Sequence, residues 1–388
     1  MAVVIALTPA ISQTSTVRVQ FEEARFYVPV ALRSGPVRWF ILDTGAQPTL
    51  IDSRVADSTG VRSRAAGATT GAGGKQTPIA DADDVTLRIA SIGLGPLSAR
   101  VAPLDSLLGP SSGRAIPGII GSRFFREHVV ELDPAASVMR VNAPETFVYR
   151  GTGVEVPLDI VDDIPFTQGW IEAPNGKRYA ARMLVDLGAK ANLLVTEPFT
   201  RMHGLDRVFG ASVTTEFGAG MGGETHYQFV RAASLGLSGN ERTRLESPIV
   251  GLSSGGTLKS TRYDALLGAD YLAHFRMIFD YARKRLILEP LSSSAGASAF
   301  DMSGLFIIAP DAGHRRLTVK SVLPGSSGAL AGIRAGDVIT RIDTNEGETL
   351  TLAAARHQLR AQEGGTVRVQ VERGGRVVVA NITLRRML

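Results

Sequence analysis

The chain has 388 residues, 44% of them hydrophobic and 20% charged, a globular composition that excludes a disordered or fibrous protein. It contains no cysteine, which excludes disulfides, thiolate metal sites and a cysteine nucleophile. The net charge of +5 comes from Lys and Arg spread thinly, with no basic block or aromatic-interleaved RNA motif, so it reads as a solvated Arg-rich surface rather than a nucleic-acid footprint.

The length allows two to four domains, and 42 Gly and 19 Pro among many short Val/Leu/Ile segments point to a mostly β chain. Residues 1–16 carry an apolar run from Ala2 to Leu7 followed by small residues, which reads either as a clipped export signal or as a plain disordered terminus, since a basic leading segment is missing. No later stretch has the apolar length of a transmembrane helix, so no stable membrane span is expected. Residues 17–39 alternate, with Arg33-Ser34-Gly35-Pro36 as a turn, and predict a β-hairpin that delivers the chain to Ile41-Leu42-Asp43-Thr44-Gly45-Ala46. There an acid sits at a strand end between core residues, Gly45 gives the reversing backbone its freedom, and apolar residues resume at Leu50 and Ile51. A carboxylate in that setting is expensive unless paired, hydrogen-bonded or at work.

A Gly-rich hairpin tip follows at Thr69 to Lys75, and then Gly118-Ile119-Ile120-Gly121. The arrangement recurs: Leu184-Val185-Asp186-Leu187-Gly188-Ala189 lies 143 residues after the first acid stretch, and Ala265-Leu266-Leu267-Gly268 lies 147 after the first apolar-Gly stretch. Glu131-Leu132-Asp133 answers Ile278-Phe279-Asp280 at the same 147. Two acids in one frame mark an internal duplication. The second tip contains Gly218, Gly220 and Gly223 in a G-x-G-x-x-G spacing, but the alternating residues after it read as a strand, so the helix that a dinucleotide site needs is missing. The six histidines (His128, His203, His226, His274, His314, His357) show no metal-ligand spacing and read as surface or packing residues, and Asp133 and Asp280 read as turn residues.

Residues 290–299 are a Ser/Ala/Gly linker. Beyond it the pattern changes to a Gly turn into a strand at Gly304 to Ile308, a strand at 317–322, the small-residue run Ala329-Leu330-Ala331-Gly332-Ile333 leading to Gly336-Asp337-Val338-Ile339, a helix at 352–361, and a final hairpin across Gly374-Gly375.

The paired motif, apolar-apolar-Asp-Thr-Gly-Ala followed later by apolar-apolar-Gly, resembles the pepsin/retropepsin-like aspartic proteases over roughly residues 18–290. The resemblance implies a two-lobe double β-barrel, with lobes at 17–150 and 151–289, and an aspartic endopeptidase acting on polypeptide. It places the catalytic acids on Asp43 and Asp186, the loop glycines on Gly45 and Gly188, and a flap over substrate at Gly71, Ala72, Gly73 and Gly74. It calls for no cofactor and no metal. The family's interlobe hydroxyl falls on Thr44, while its counterpart Leu187 cannot donate, so one arm of that grip is expected to be absent and another group such as Asn192 to support the loop; a missing bond of this kind is worth about 1 kcal/mol. Lys190, four residues after Asp186, would lower the pKa of the acids if it pointed inward, but it reads rather as a solvent-facing residue on the outer side of the second loop.

Residues 300–388 resemble a PDZ domain of the bacterial protease-associated type. That implies peptide binding, with backbone N–H groups around Gly304, Leu305 and Phe306 receiving a C-terminal carboxylate, or else a module that only packs on the lobes. The combination implies an exported, periplasmic setting, a cytoplasmic one remaining open. A rival reading, from a different class, is a catalytically weak or inactive peptide-binding scaffold of the same fold, weakened by Leu187.

Overall fold

In the computed structural model, which describes residues 14–70, 75–253, 258–292 and 300–388, the chain is mostly β and its repeat is a structural one. The possible export signal, the first hairpin tip at 71–74 and most of the linker lie outside the described residues.

The two lobes share one six-stranded sheet, in the order Ser15–Arg18, Val138–Asn142, Val129–Asp133, Phe275–Asp280, Arg285–Pro290 and Val154–Pro157. At its centre the lobes pair antiparallel, with Val130 opposite Phe279, Glu131 opposite Ile278 and Leu132 opposite Met277. Glu131 and Ile278 are repeat partners, 147 residues apart, and the other two pairs exchange when each residue is replaced by its counterpart at that spacing. The offset read along the chain is thus the operation that relates the lobes in space, and its axis passes through the Glu131–Ile278 pair. The carboxylate of Glu131, nearly buried there, accepts from Arg276 at 2.6 Å and from Asn142 at 2.9 Å.

Each lobe builds its acid loop in the same way. In the first, Val37–Leu42 runs parallel to Gly118–Ile120, with Ile41 beside Ile119, and Thr49–Asp52 returns antiparallel on the other side of that strand. In the second, Arg178–Asp186 runs parallel to Ala265–Gly268, with Leu184 beside Leu266, and Leu193–Val195 returns on the other side. The short middle strands are buried throughout, which is why they read as unbroken apolar runs ending in glycine. Each holds apart the two arms of a loop, and the acid sits where the incoming arm ends. One apolar core runs from Val17 through Phe125 and Phe279 to Leu288 and joins the lobes, and each lobe adds a smaller cluster of its own, around Tyr27 and Ile119 in the first and around Phe166 and Leu266 in the second.

The C-terminal domain has its own core, centred on Leu305, Ile307, Leu317, Ile339, Val369 and Ile382. Its sheet has the order Leu305–Ile308, Leu317–Val322, Val338–Ile342, Thr366–Arg373 and Arg376–Thr383, and its longer helix, Leu352–Gln358, is capped by the Thr351 hydroxyl, which accepts from Ala354 N–H. Asp337 closes the expected turn, accepting from Arg334 N–H at 2.9 Å and from Arg373 at 2.6 and 2.7 Å.

The domain is docked on the first lobe. Ala309 N–H donates to the Pro110 carbonyl at 2.8 Å, His314 Nε2 meets Asp105 Oδ1 at 3.0 Å, and Arg356 reaches Glu23 at 2.8 Å and the Ser111 carbonyl at 3.1 Å. His314, read from sequence as surface or packing, is a buried bridge between domains.

Because Phe279 fills the shared core at the axis, Phe279→Ala should destabilise both lobes together, by about 3–5 kcal/mol. Urea unfolding followed by fluorescence and by far-UV circular dichroism should show one transition moved to lower denaturant; two separated transitions would contradict a common core.

Candidate active site

The two acid loops meet face to face. A Cβ built on Gly45 would lie 2.8 Å from Asp186 Cγ, and one built on Gly188 would lie 2.3 Å from Asp43 Oδ2, so each glycine is the surface on which the other lobe's carboxyl rests. No residue with a side chain fits at either position. Each carboxyl is also held by its own loop: Gly45 N–H donates to Asp43 Oδ1 at 2.7 Å and Gly188 N–H to Asp186 Oδ1 at 2.8 Å. The carboxyls hydrogen-bond each other. Burial raises both above the usual carboxylate range, and Asp186 is raised well above it because the charge on Asp43 disfavours a second charge beside it. The arrangement favours one proton shared by the pair.

Thr44 is fully buried and ties the loops together. Its hydroxyl donates to the Val185 carbonyl at 2.6 Å and accepts from Leu187 N–H at 3.0 Å. Leu187, equally buried, has no polar atom with which to return the favour and is packed into the shared core. Asn192 does not take over its task. The Asn192 side chain donates to Asp270 at 2.8 Å and accepts from Ile249 N–H at 3.0 Å, which braces the second loop within its own lobe and leaves the crossing between lobes to Thr44.

A second crossing comes from Arg25, which nothing in the alternating hairpin distinguishes. It is nearly buried, donates through Nη1 to Ser112 Oγ at 2.8 Å, and points Nε at the Gly188 carbonyl at 3.3 Å. Its charge favours the ionised form of Asp43. Arg25 follows a turn in which Glu23 and Ala24 both have positive φ, 51° and 54°. Left-handed backbone at two consecutive non-glycine residues carries strain, and the turn carries Glu23 onto Arg356 of the C-terminal domain.

The Lys190 expectation is corrected. Its Nζ is withdrawn from solvent, without a hydrogen-bond acceptor among the described residues, and burial lowers its pKa well below the ordinary value, helped by Arg25 and Arg356. The chain turns inward after Ala189 because Asp186 and Ala191 carbonyls are anchored on either side, by Ala189 N–H and Asp270 N–H.

Gly71, Ala72, Gly73 and Gly74 lie outside the described residues, but the strands that lead to them, Arg64–Thr70 and Gln76–Ile89, form the expected hairpin. The second-lobe tip joins it: Lys75 N–H donates to the Gly222 carbonyl at 3.0 Å and Gly222 N–H to Thr77 Oγ1 at 3.1 Å. Gly218, Gly220 and Gly223 fall on the antiparallel strands Ser212–Gly220 and Gly223–Arg231, with no helix following, so the dinucleotide spacing has no βαβ unit around it.

Between these hairpins, the acids and the C-terminal domain lies a cavity of about 840 Å³, lined by Asp43, Asp186, Ile79, Met221, Tyr227 and, from the far side, Gly304, Leu305 and Phe306. The last three therefore face the same space as the acids. The expected carboxylate cradle is filled from within: Asp301 Oδ1 accepts from Ser303 N–H at 2.9 Å and Gly304 N–H at 2.6 Å, and Leu305 N–H donates to Ser303 Oγ at 3.1 Å. The edge beyond is engaged too, with the Ile307 carbonyl accepting from Arg356 at 3.0 Å. Two of the three expected cradle donors, Gly304 and Leu305 N–H, are thus engaged within the domain, the first by an acid three residues before it. Among the described residues no group of His, Asp and Glu has the arrangement of a metal site, and no helix is long and apolar enough to cross a membrane.

Residues 28–124 match the family model described as aspartyl protease, and residues 318–373 match the model described as PDZ domain. The first match contains Asp43, Thr44 and Gly45; the second lobe lies beyond it. No curated protein matches the chain. Among solved structures, the aspartic proteinase from Irpex lacteus aligns with a TM-score of 0.47 at 15% identity, covering 74% of this chain and 100% of that one.

Thr44→Val removes both buried interlobe bonds and leaves Leu187 N–H unpaired, and should cost about 1–3 kcal/mol in urea unfolding. Lys190→Met should raise the melting temperature. Lys190 has its folded-state pKa depressed from 10.5, so its penalty is full below that depressed value and fades as pH rises towards 10.5. The stabilisation by Lys190→Met should accordingly shrink with rising pH across that window, and a gain independent of pH would show that the ammonium is not its source.

Proposed function

We propose that the chain is an aspartic endopeptidase that hydrolyses peptide bonds of a polypeptide lying in the cleft, with Asp43 and Asp186 as its catalytic acids. The observation that carries this reading is the meeting of two acids, 143 residues apart, each packed on the other's loop glycine, inside a cavity of about 840 Å³. A coupled carboxyl pair holding one proton contains a base and an acid at once. The Asp43 carboxylate takes a proton from water as the water oxygen adds to the carbonyl carbon, while Asp186 gives its proton to the carbonyl oxygen. The proton on Asp43 then passes to the nitrogen as the C–N bond breaks, and Asp186 recovers a proton from the hydroxyl group of the intermediate. Carboxylic acid and amine leave, and the dyad is again singly protonated.

The roles follow from the electrostatics: Arg25 favours the anion on Asp43, and the neighbouring charge keeps the proton on Asp186. Thr44 and Gly45 hold the first acid, and Gly188 the second. The C-terminal domain, in this reading, walls the cleft and presents Leu305 and Phe306 to bound polypeptide. The inactive-scaffold reading draws on Leu187, but the surviving Thr44 arm makes both of its bonds, so the loops remain tied.

The purified chain should cleave an unfolded protein substrate, and Asp43→Asn and Asp186→Asn should each lower kcat/KM by roughly a hundredfold or more; cleavage surviving both changes sinks the proposal. The pH profile gives a second check. Activity needs Asp43 ionised and Asp186 protonated, so it falls at low pH as Asp43 gains its proton and at high pH as Asp186 loses its own. With Asp186 raised well above 3.8, the alkaline limb of kcat/KM should stand well above the ordinary carboxylate range. A limb at that ordinary value would contradict the shared-proton assignment.

A further inference from the structure

The far wall of the cleft carries more positive charge than the proposed hydrolysis uses. Lys190, four residues after Asp186, borders the cavity together with Arg25, Arg356 and Arg360. The acids among them are already occupied. Glu23 is held by Arg356 at 2.8 Å with Arg360 at 3.8 Å; Asp270 accepts from Asn192 at 2.8 Å; Asp301 accepts from Ser303 and Gly304. Arg25 is spent on Ser112 and the Gly188 carbonyl. Two cationic nitrogens are left buried and without an acceptor among the described residues, Lys190 Nζ and Arg360 Nε.

A buried ammonium beside three guanidinium groups is costly, and Glu23, the acid whose charge favours it, is already paired with Arg356. Lysine ends a flexible four-carbon stem, so its Nζ can swing from the wall towards an anion in the cavity without backbone movement. The PDZ-type cradle, where a C-terminal carboxylate was expected, is filled by Asp301. The unsatisfied positive charge of the cleft therefore stands on the second acid loop, at Lys190, and on the C-terminal domain, at Arg360, and not in the Gly304 loop.

We propose that Lys190, assisted by Arg360, forms a carboxylate subsite in the wall of the cleft, and that a polypeptide bound there is selected by a carboxylate that reaches it. This rests on the peptidase reading and adds the chemistry of the substrate. The carboxylate belongs either to the polypeptide's own C-terminus or to an acidic side chain. Both would make a charge-assisted hydrogen bond with Lys190 Nζ and relieve its unpaired burial.

Two pairs of otherwise identical peptides separate the sources. One pair has a free or an amidated C-terminus; the other has an internal Glu or Gln and is amidated in both members. Their Kd values would be measured by fluorescence anisotropy on the full-length Asp186→Asn chain, and again with Lys190→Met or Lys190→Arg added. In one pair the anionic member should bind about tenfold or more tightly, the preference should vanish with Lys190→Met, and Lys190→Arg should retain most of it. The pair that shows the preference identifies the source. Equal Kd values within both pairs, a preference that survives Lys190→Met, or no binding of any peptide overturns the subsite. Cleavage of the same peptides by the unaltered chain keeps the two proposals apart. Equal kcat/KM within each pair removes the subsite and leaves the peptidase, whereas Lys190-dependent binding without cleavage removes the peptidase and leaves the subsite.

Discussion

Two carboxyl groups pressed together out of water, each resting on the glycine of the opposite loop, are the constraint around which this molecule is arranged. Their proximity is unfavourable by itself, since burial and like charge both oppose ionisation. It persists because the surroundings leave no alternative. The six-stranded sheet fixes the relation of the lobes about the Glu131–Ile278 pair, the buried middle strands fix where each incoming strand ends, and the Thr44 hydroxyl stitches the loops directly. Loss of the reciprocal hydroxyl at Leu187 makes this grip one-sided. The Leu187 side chain instead joins the common core, so the second loop is anchored by that packing together with the Asn192 hydrogen bonds within its own lobe.

The C-terminal domain extends this frame and closes it. Glu23 is the hinge of the contact, carried on a strained turn of the first lobe and gripped by Arg356, which also reaches the Ser111 and Ile307 carbonyls. One guanidinium thus binds a carboxylate of the lobe, a helix carbonyl of the lobe and the exposed edge of the domain's own first strand. With Asp301 occupying the Gly304 loop and Ser303 Oγ accepting from Leu305 N–H, these two donors are engaged within the domain. Its apolar residues Leu305 and Phe306 still face the cavity, so it shapes the space in which a polypeptide would lie even with that edge engaged.

The recurrence of Asp43 and Asp186, with Gly45 and Gly188 in frame, was legible along the chain because those positions tolerate few residue types: a carboxyl with a proton to share, and a glycine where the opposite carboxyl leaves no room. The spacing of 147 even carried the operation that relates the lobes at their central strands. Asn192 supports the second loop, though within its own lobe, whereas the outward reading of Lys190 misled because it is made locally, from a loop residue. Lys190 points inward because Asp186 and Ala191 carbonyls are both anchored, and Asn192 is turned towards Asp270 by a helix that begins almost eighty residues later. Arg25 and Glu23 gave no signal, since their partners Gly188 and Arg356 are 163 and 333 residues away.

The amino-acid sequence by itself determined the duplication, the two acids, the β architecture and the separate C-terminal module, since each is written as a periodic pattern or as a position that only one residue type fills. Tertiary structure alone decided which charges are satisfied: that Asp301 fills the Gly304 loop, that Arg25 crosses to the second acid loop, and that Lys190 Nζ is buried with no hydrogen-bond acceptor among the described residues. Pairing between charges depends on distance in space, and the groups that settle it here come from different lobes and domains, where no local pattern records their meeting.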